Sequence, residues 1–143
     1  MSYIIRHKWL YYLIQFTWGL LMNIVGSLVF LVLIVFGKKK PQKFHNCWYI
    51  AVGERWGGLE LGTFFLIDED VNPYTMQHEA GHGLQNLIWG PLYPFVIGIP
   101  SAFRYHYRNF KFWVGIPVKT FYDEIWFEGQ ATRWGKKYYK LDK

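Results

Sequence analysis

From residue 9 to residue 37 the chain carries no charged side chain. Nothing else in the sequence restricts the fold so strongly, because residues 10–36 exceed the roughly 20 that a helix needs to cross a bilayer. A cleaved leader has an apolar core of about 7–15 residues and ends in a small-x-small site. This run is longer, and Leu33-Ile34-Val35-Phe36-Gly37 offers no such site, so the sequence predicts a retained transmembrane helix. Trp9, Tyr11 and Tyr12 stand at one end, where interfacial anchors sit. Gln15, Gly19, Asn23 and Ser27 recur every fourth residue, with Gly26 beside them. This small, polar stripe either meets another helix or is a chance placement in a lone span. Arg6 and Lys8 precede the run, while Lys38, Lys39, Lys40 and Lys43 follow it. The excess of positive charge after it predicts a single-pass protein whose later part is cytoplasmic. Residues 1–43 are thus expected to be a membrane anchor with basic flanks, and residues 44–143 a domain of their own.

Composition agrees with a membrane-associated protein. Hydrophobic residues make up 52% and aromatic ones 22%, against only 18% charged. The formal net charge of +6 accompanies no nucleic-acid motif, and its Lys and Arg residues flank the apolar run and dot the C-terminus. Membrane lipid is therefore the expected partner, and nucleic acid is not. The single cysteine, Cys47, excludes an intramolecular disulfide and a zinc site built on several cysteines.

Beyond the run, residues 47–52 and 59–67 are β-prone, and residues 53–58 between them have turn chemistry. They read as a hairpin, whose exposed edge around residues 57–65 either takes up an extended peptide as a further strand or only covers the core. Asn72 and Pro73 have the types preferred at a helix N-cap and first turn, and Gly90-Pro91 ends a helix, which predicts a helix over residues 73–89. Residues 91–103 are apolar but interrupted by Pro94, Gly98 and Pro100. Residues 104–111 are basic and aromatic and read as a belt at headgroup level. A last helix is expected over residues 118–139, carrying Glu124, Glu128 and Thr132 on one face.

The helix over residues 73–89 contains His78-Glu79-Ala80-Gly81-His82. Residues four apart on a helix share a face, so two imidazoles can bind one ion in this H-E-x-x-H pattern of zinc-dependent peptidases. Glu79, one position past the first histidine, can take a proton from water activated by that ion. Gln85 and Asn86 extend the same polar stripe. Catalytic zinc usually has three protein ligands. The longer pattern with a third histidine fails, because Ile88 occupies that place. Glu128, Glu124 and His106 are the remaining candidates.

At these residues the chain resembles the gluzincin branch of zinc metallopeptidases, in which a glutamate on a later helix completes the site. Glu128-Gly129-Gln130-Ala131-Thr132 matches its glutamate and alanine, and Thr132 stands where the family has an aspartate supporting a ligand histidine. Residues 78–101 also look like small bacterial membrane proteins with a His-Glu-x-Gly-His motif followed by Gly-Pro-Leu-Tyr. The resemblance implies His78, His82 and Glu128 as Zn2+ ligands and Glu79 as general base. It implies a peptide or protein substrate and an α+β fold: a transmembrane helix before a minimal zincin-like core of hairpin, motif helix and glutamate helix. Tyr122, His106 and Tyr93 are candidates to stabilise an oxyanion. Two rival expectations stand beside it, a zinc-binding membrane interaction protein without hydrolytic activity and a structural membrane protein without metal.

Overall fold

The computed structural model of the chain describes residues 1–55 and 57–141. Trp56, in the expected turn, and the last two residues of the expected domain lie outside them. The fold class is α+β, as expected. A short helix α1 (Ser2–Arg6) leads into α2 (Lys8–Gln15) and α3 (Leu20–Val35). Strands β1 (Gln42–Phe44), β2 (Cys47–Ala51), β3 (Gly58–Leu61) and β4 (Phe64–Ile67) follow, and then α4 (Pro73–Trp89). A 3-10 turn at Gly90–Leu92 and a π turn at Pro94–Gly98 lead into α5 (Ile99–Trp113). A second 3-10 turn, Tyr122–Glu124, precedes α6 (Trp126–Tyr138).

The long apolar run is not one helix. It breaks between α2 and α3, whose axes meet at 93°, and among the described residues no single helix is long and apolar enough to cross a membrane. The cause is the polar stripe. Breaking a helix frees backbone carbonyls, and in apolar surroundings each must find a donor. Here Asn23 Nδ2 donates to Gln15 O and Gly19 O, and Asn86 Nδ2 donates to Gly19 O from α4. Gln15 Nε2 donates in turn to Gly83 O, and Thr63 N–H donates to Asn23 Oδ1. The stripe does meet another helix, α4 of the same chain. Residues 1–43 are thus no loose tether: Tyr11, Gln15, Asn23, Gly26 and Phe30 are all buried.

The expected hairpin is also re-paired. The sheet order is β1-β2-β4-β3. β2 lies parallel to β4, with Trp48 opposite Phe64, and β4 pairs antiparallel with β3. The stretch read as one strand over residues 59–67 is itself the hairpin, turning at Gly62, whose φ of +86° suits glycine alone. Phe64–Ile67 is apolar throughout and takes a central position. β3, which carries Glu60, is left at the edge.

Alternation along β4 then builds three layers. Phe65 and Ile67 join Tyr11, Ala80 and Leu84 in the core on the α4 side. Leu66 joins Phe30, Ile50 and Leu61 under α3 on the other side. Each such side chain fully buried contributes about 1.5–3 kcal/mol of transfer free energy. The outer face of α3 remains apolar and exposed, with Leu21, Ile24, Val25, Leu28, Leu31 and Val35.

Candidate metal centre

α4 is positioned as its sequence dictates. The Asn72 carboxamide caps it by accepting the Tyr74 N–H at 2.9 Å, Pro73 opens it, and Gly90 closes it at φ +50°. Four-residue spacing sets His78 beside His82, with their Nε2 atoms 3.1 Å apart. α6 then crosses α4 nearly backbone to backbone. A Cβ at Gly81 would strike the Ala131 carbonyl, and one at Gly135 would strike the Gln77 carbonyl. That closeness lets the fully buried Glu128 reach over, its Oε2 lying 3.0 Å from His78 Nε2 and 3.1 Å from His82 Nε2.

The surrounding bonds decide where the protons are. Gln85 Nε2 donates to Phe127 O at 2.8 Å and to Gln130 Oε1 at 3.0 Å, which turns Gln85 Oε1 toward His82 Nδ1 at 2.7 Å. An amide oxygen only accepts, so His82 Nδ1 carries the proton and a neutral His82 presents a bare Nε2. His78 Nδ1 meets the Thr132 hydroxyl at 2.8 Å, the place where the resembled family has a carboxylate. Glu128 Oε1 is occupied by the hydroxyls of Ser101 and, at 3.3 Å, Tyr122. With His82 neutral and His78 likewise protonated on Nδ1, toward the Thr132 hydroxyl, three electron pairs converge: two imidazole nitrogens and one carboxylate oxygen.

A cation fits this set. Ligand bonds of about 2.0–2.1 Å at tetrahedral angles place donor atoms roughly 3.3 Å apart, close to the spacing found. In the metal-free chain a proton does the same work. Burial opposes a charged His82, yet its bond to Glu128 and the nearby Glu79 push it up to about 9. Burial likewise works to raise Glu128, but the two imidazoles hold it well below the usual carboxylate range. Burial raises Glu79, with His78 and His82 pulling the other way.

Glu79 is buried between α4 and the edge strand, and a Cβ at Gly58 would collide with its carboxyl. It lines two adjoining cavities, an outer one of about 470 Å³ and an inner one of about 230 Å³. Gly58, His78, Tyr105 and Tyr122 border both.

Of the other candidates, Glu124 is displaced. The expected last helix starts at Trp126 rather than at residue 118, because Arg104 Nη2 holds the carbonyls of Phe121 and Tyr122 in the preceding segment. Glu124 lies in the 3-10 turn and bonds the Phe121 N–H at 3.0 Å, away from the histidines. His106, exposed on α5, borders the inner cavity outside the cluster. Tyr122 lies over His78, with ring centroids 6.0 Å apart, whereas Tyr93 is buried deeper. Sequence reasoning overlooked Ser101 and Glu60. Nothing flags Ser101, but Glu60 was readable as a lone carboxylate in a β-prone run.

No family model, curated protein or solved structure matches the chain.

Proposed function

We propose that this chain is a membrane-associated zinc metallopeptidase of gluzincin type, in which His78, His82 and Glu128 hold zinc and Glu79 is the general base. The observation that carries the reading is the convergence of two Nε2 atoms and one carboxylate oxygen at 3.0–3.1 Å, with a buried glutamate one residue past the first histidine. Two imidazoles and a carboxylate are the donor set of open catalytic zinc sites. Zinc, when bound, supplies Lewis-acid chemistry and makes water acidic near neutral pH.

The chain's own groups do the rest. β3 is an exposed edge, and a peptide added to it is held by main-chain hydrogen bonds. Gly58, with no side chain, lets that peptide lie against Glu79. Glu79 takes a proton from the attacking water and delivers it to the leaving amine, and burial raises its basicity for that purpose. Tyr122, a neutral donor whose burial raises its pKa further, turns its hydroxyl from the long 3.3 Å contact with Glu128 to stabilise charge on the carbonyl oxygen. Membrane lipid receives the outer face of α3 together with exposed Phe103, Phe110 and Trp113 of α5. α3 is about 24 Å long at 1.5 Å per residue, short of the roughly 30 Å hydrocarbon core. The bent pair with α2 therefore does the anchoring, and the lysines after α3 set the domain on the cytoplasmic side.

The test is elemental analysis of detergent-purified protein, followed by a proteolysis assay. Wild type is expected to hold about one zinc per chain, and His78→Ala none. Glu79→Gln keeps the zinc but lowers cleavage at least about 100-fold, the usual contribution of a general base. Unchanged cleavage in Glu79→Gln overturns the peptidase reading. Zinc bound with no cleavage of any substrate leaves an interaction module, which the neutral Thr132 beside His78 would suit.

A further inference from the structure

The inner cavity contains a carboxylate with no role in the chemistry above. Glu60 of β3 is 5% exposed. Its Oε1 accepts the Gly62 N–H, its Oε2 is buried with no hydrogen-bond partner at normal distance among the described residues, and burial pushes the carboxyl up to about 8 against the pull of the Tyr93 hydroxyl. No Lys or Arg among them pairs with it. Burial with too few donors keeps this carboxyl from ionising until a cationic donor arrives beside it.

The surroundings define that donor. The cavity wall combines Leu59, Gly98 and Ala102 with Glu60 and Tyr93, an apolar passage with a carboxylate. Only one oxygen of Glu60 is open, which suits the point charge of an ammonium better than the two-pronged guanidinium. Position matters too. Gly58 lies against Glu79, and Glu60 follows two residues later on the same face of the strand, about 6.6 Å along. A peptide paired with β3 keeps the same period, so the side chain facing Glu60 belongs to a residue close to the bond at Glu79.

We infer that the inner cavity is a side-chain subsite for a primary ammonium on an apolar stem, namely a lysine of the substrate peptide next to the bond cut. The inference rests on the peptidase reading for its substrate class.

The experiment separates the two. Blocked peptides with lysine, or norleucine of nearly the same shape, at each position in turn are titrated onto zinc-loaded Glu79→Gln protein, and their cleavage by wild type is measured in parallel. At one position lysine is expected to bind at least tenfold more tightly than norleucine. Glu60→Gln, combined with Glu79→Gln, should abolish that preference while zinc content stays at wild-type level. Should Glu60→Gln misfold, Ala102→Leu, which narrows the cavity without touching a charge, should abolish it equally. Lysine preference without cleavage supports the subsite and removes the peptidase. Cleavage without lysine preference, or a preference that survives both variants, overturns the subsite and spares the peptidase.

Discussion

α4 carries two polar clusters, and they are built on opposite principles. Toward α2 and α3, Asn86 joins Gln15 and Asn23 in a network of amides. Toward α6, His78 and His82 meet Glu128. In the amide network the side-chain N–H groups all have acceptors, and Asn86 Oδ1 is the one oxygen left without a donor. In the other cluster two imidazole nitrogens and a carboxylate oxygen face one another across 3.0–3.1 Å, and a shared proton or a metal is what reconciles them. A network matched in all but one oxygen holds a fold together, with its N–H groups all used internally. An unmatched one is stable only with a cation in its midst, be it a proton or a metal. The difference marks one cluster as structural and the other as a candidate site, although both are anchored on one helix; His78 alone among them is partly exposed, toward the cavities.

Substitutions break the comparison in different currencies. The largest effect is expected from Glu128→Ala, which removes the one anionic donor and should weaken zinc binding beyond detection by elemental analysis. Its counterpart, Asn23→Leu, strips donors from two backbone carbonyls and the acceptor from Thr63 N–H. It should lower unfolding free energy by about 2–4 kcal/mol in chemical denaturation, with zinc stoichiometry unchanged. Loss of zinc in Asn23→Leu protein that is still folded would contradict the division. Gly81→Ala pushes α6 off α4 and displaces Glu128, so zinc affinity should fall at least about tenfold, within the range seen when support around a metal site is lost. The smallest change is expected for Thr132→Ala, also about tenfold or slightly less, with Thr132→Asp restoring or exceeding wild-type affinity.

A pH titration sharpens the same point. His82 rises from 6.5 to about 9 in the folded, metal-free chain. Its contribution to stability is complete below about pH 6.5 and fades as pH climbs through about 9. Zinc must displace that proton, so affinity should increase about tenfold per pH unit from 7 toward 9. Calorimetry at pH 7 in buffers of different ionisation heat should then record about one proton released per zinc bound. No release at pH 7 would mean that the proton is not there and that the charge balance is different.

How much of this was legible in the sequence follows the range of the interactions involved. α4 was readable to the residue, because Asn72, Pro73 and Gly90 act on their own neighbours. The paired histidines were readable for the same reason. Glu128 was one of three candidates, and only resemblance put it ahead of Glu124 and His106, since what brings it to the histidines is the absence of side chains at Gly81 and Gly135. The bend at residues 16–19 was hidden, because the amides that hold it include Asn86, which donates to Gly19 O from far along the chain. Parallel pairing of β2 with β4 was hidden too, since local turn signals favour neighbours. Glu124 was misjudged because residues 118–125 look helical in isolation, and it is Arg104 that holds their carbonyls.

The close crossing of α4 and α6 has a consequence in time. A ribosome releases the histidines well before it releases residue 128, and an H-E-x-x-H helix alone offers only two donors. On the proposed zinc reading, capture is deferred until α6 has emerged and docked, so that acquisition of the metal and completion of the fold become a single late event. A nascent chain stalled before α6 should accumulate no tightly held zinc, however long it waits.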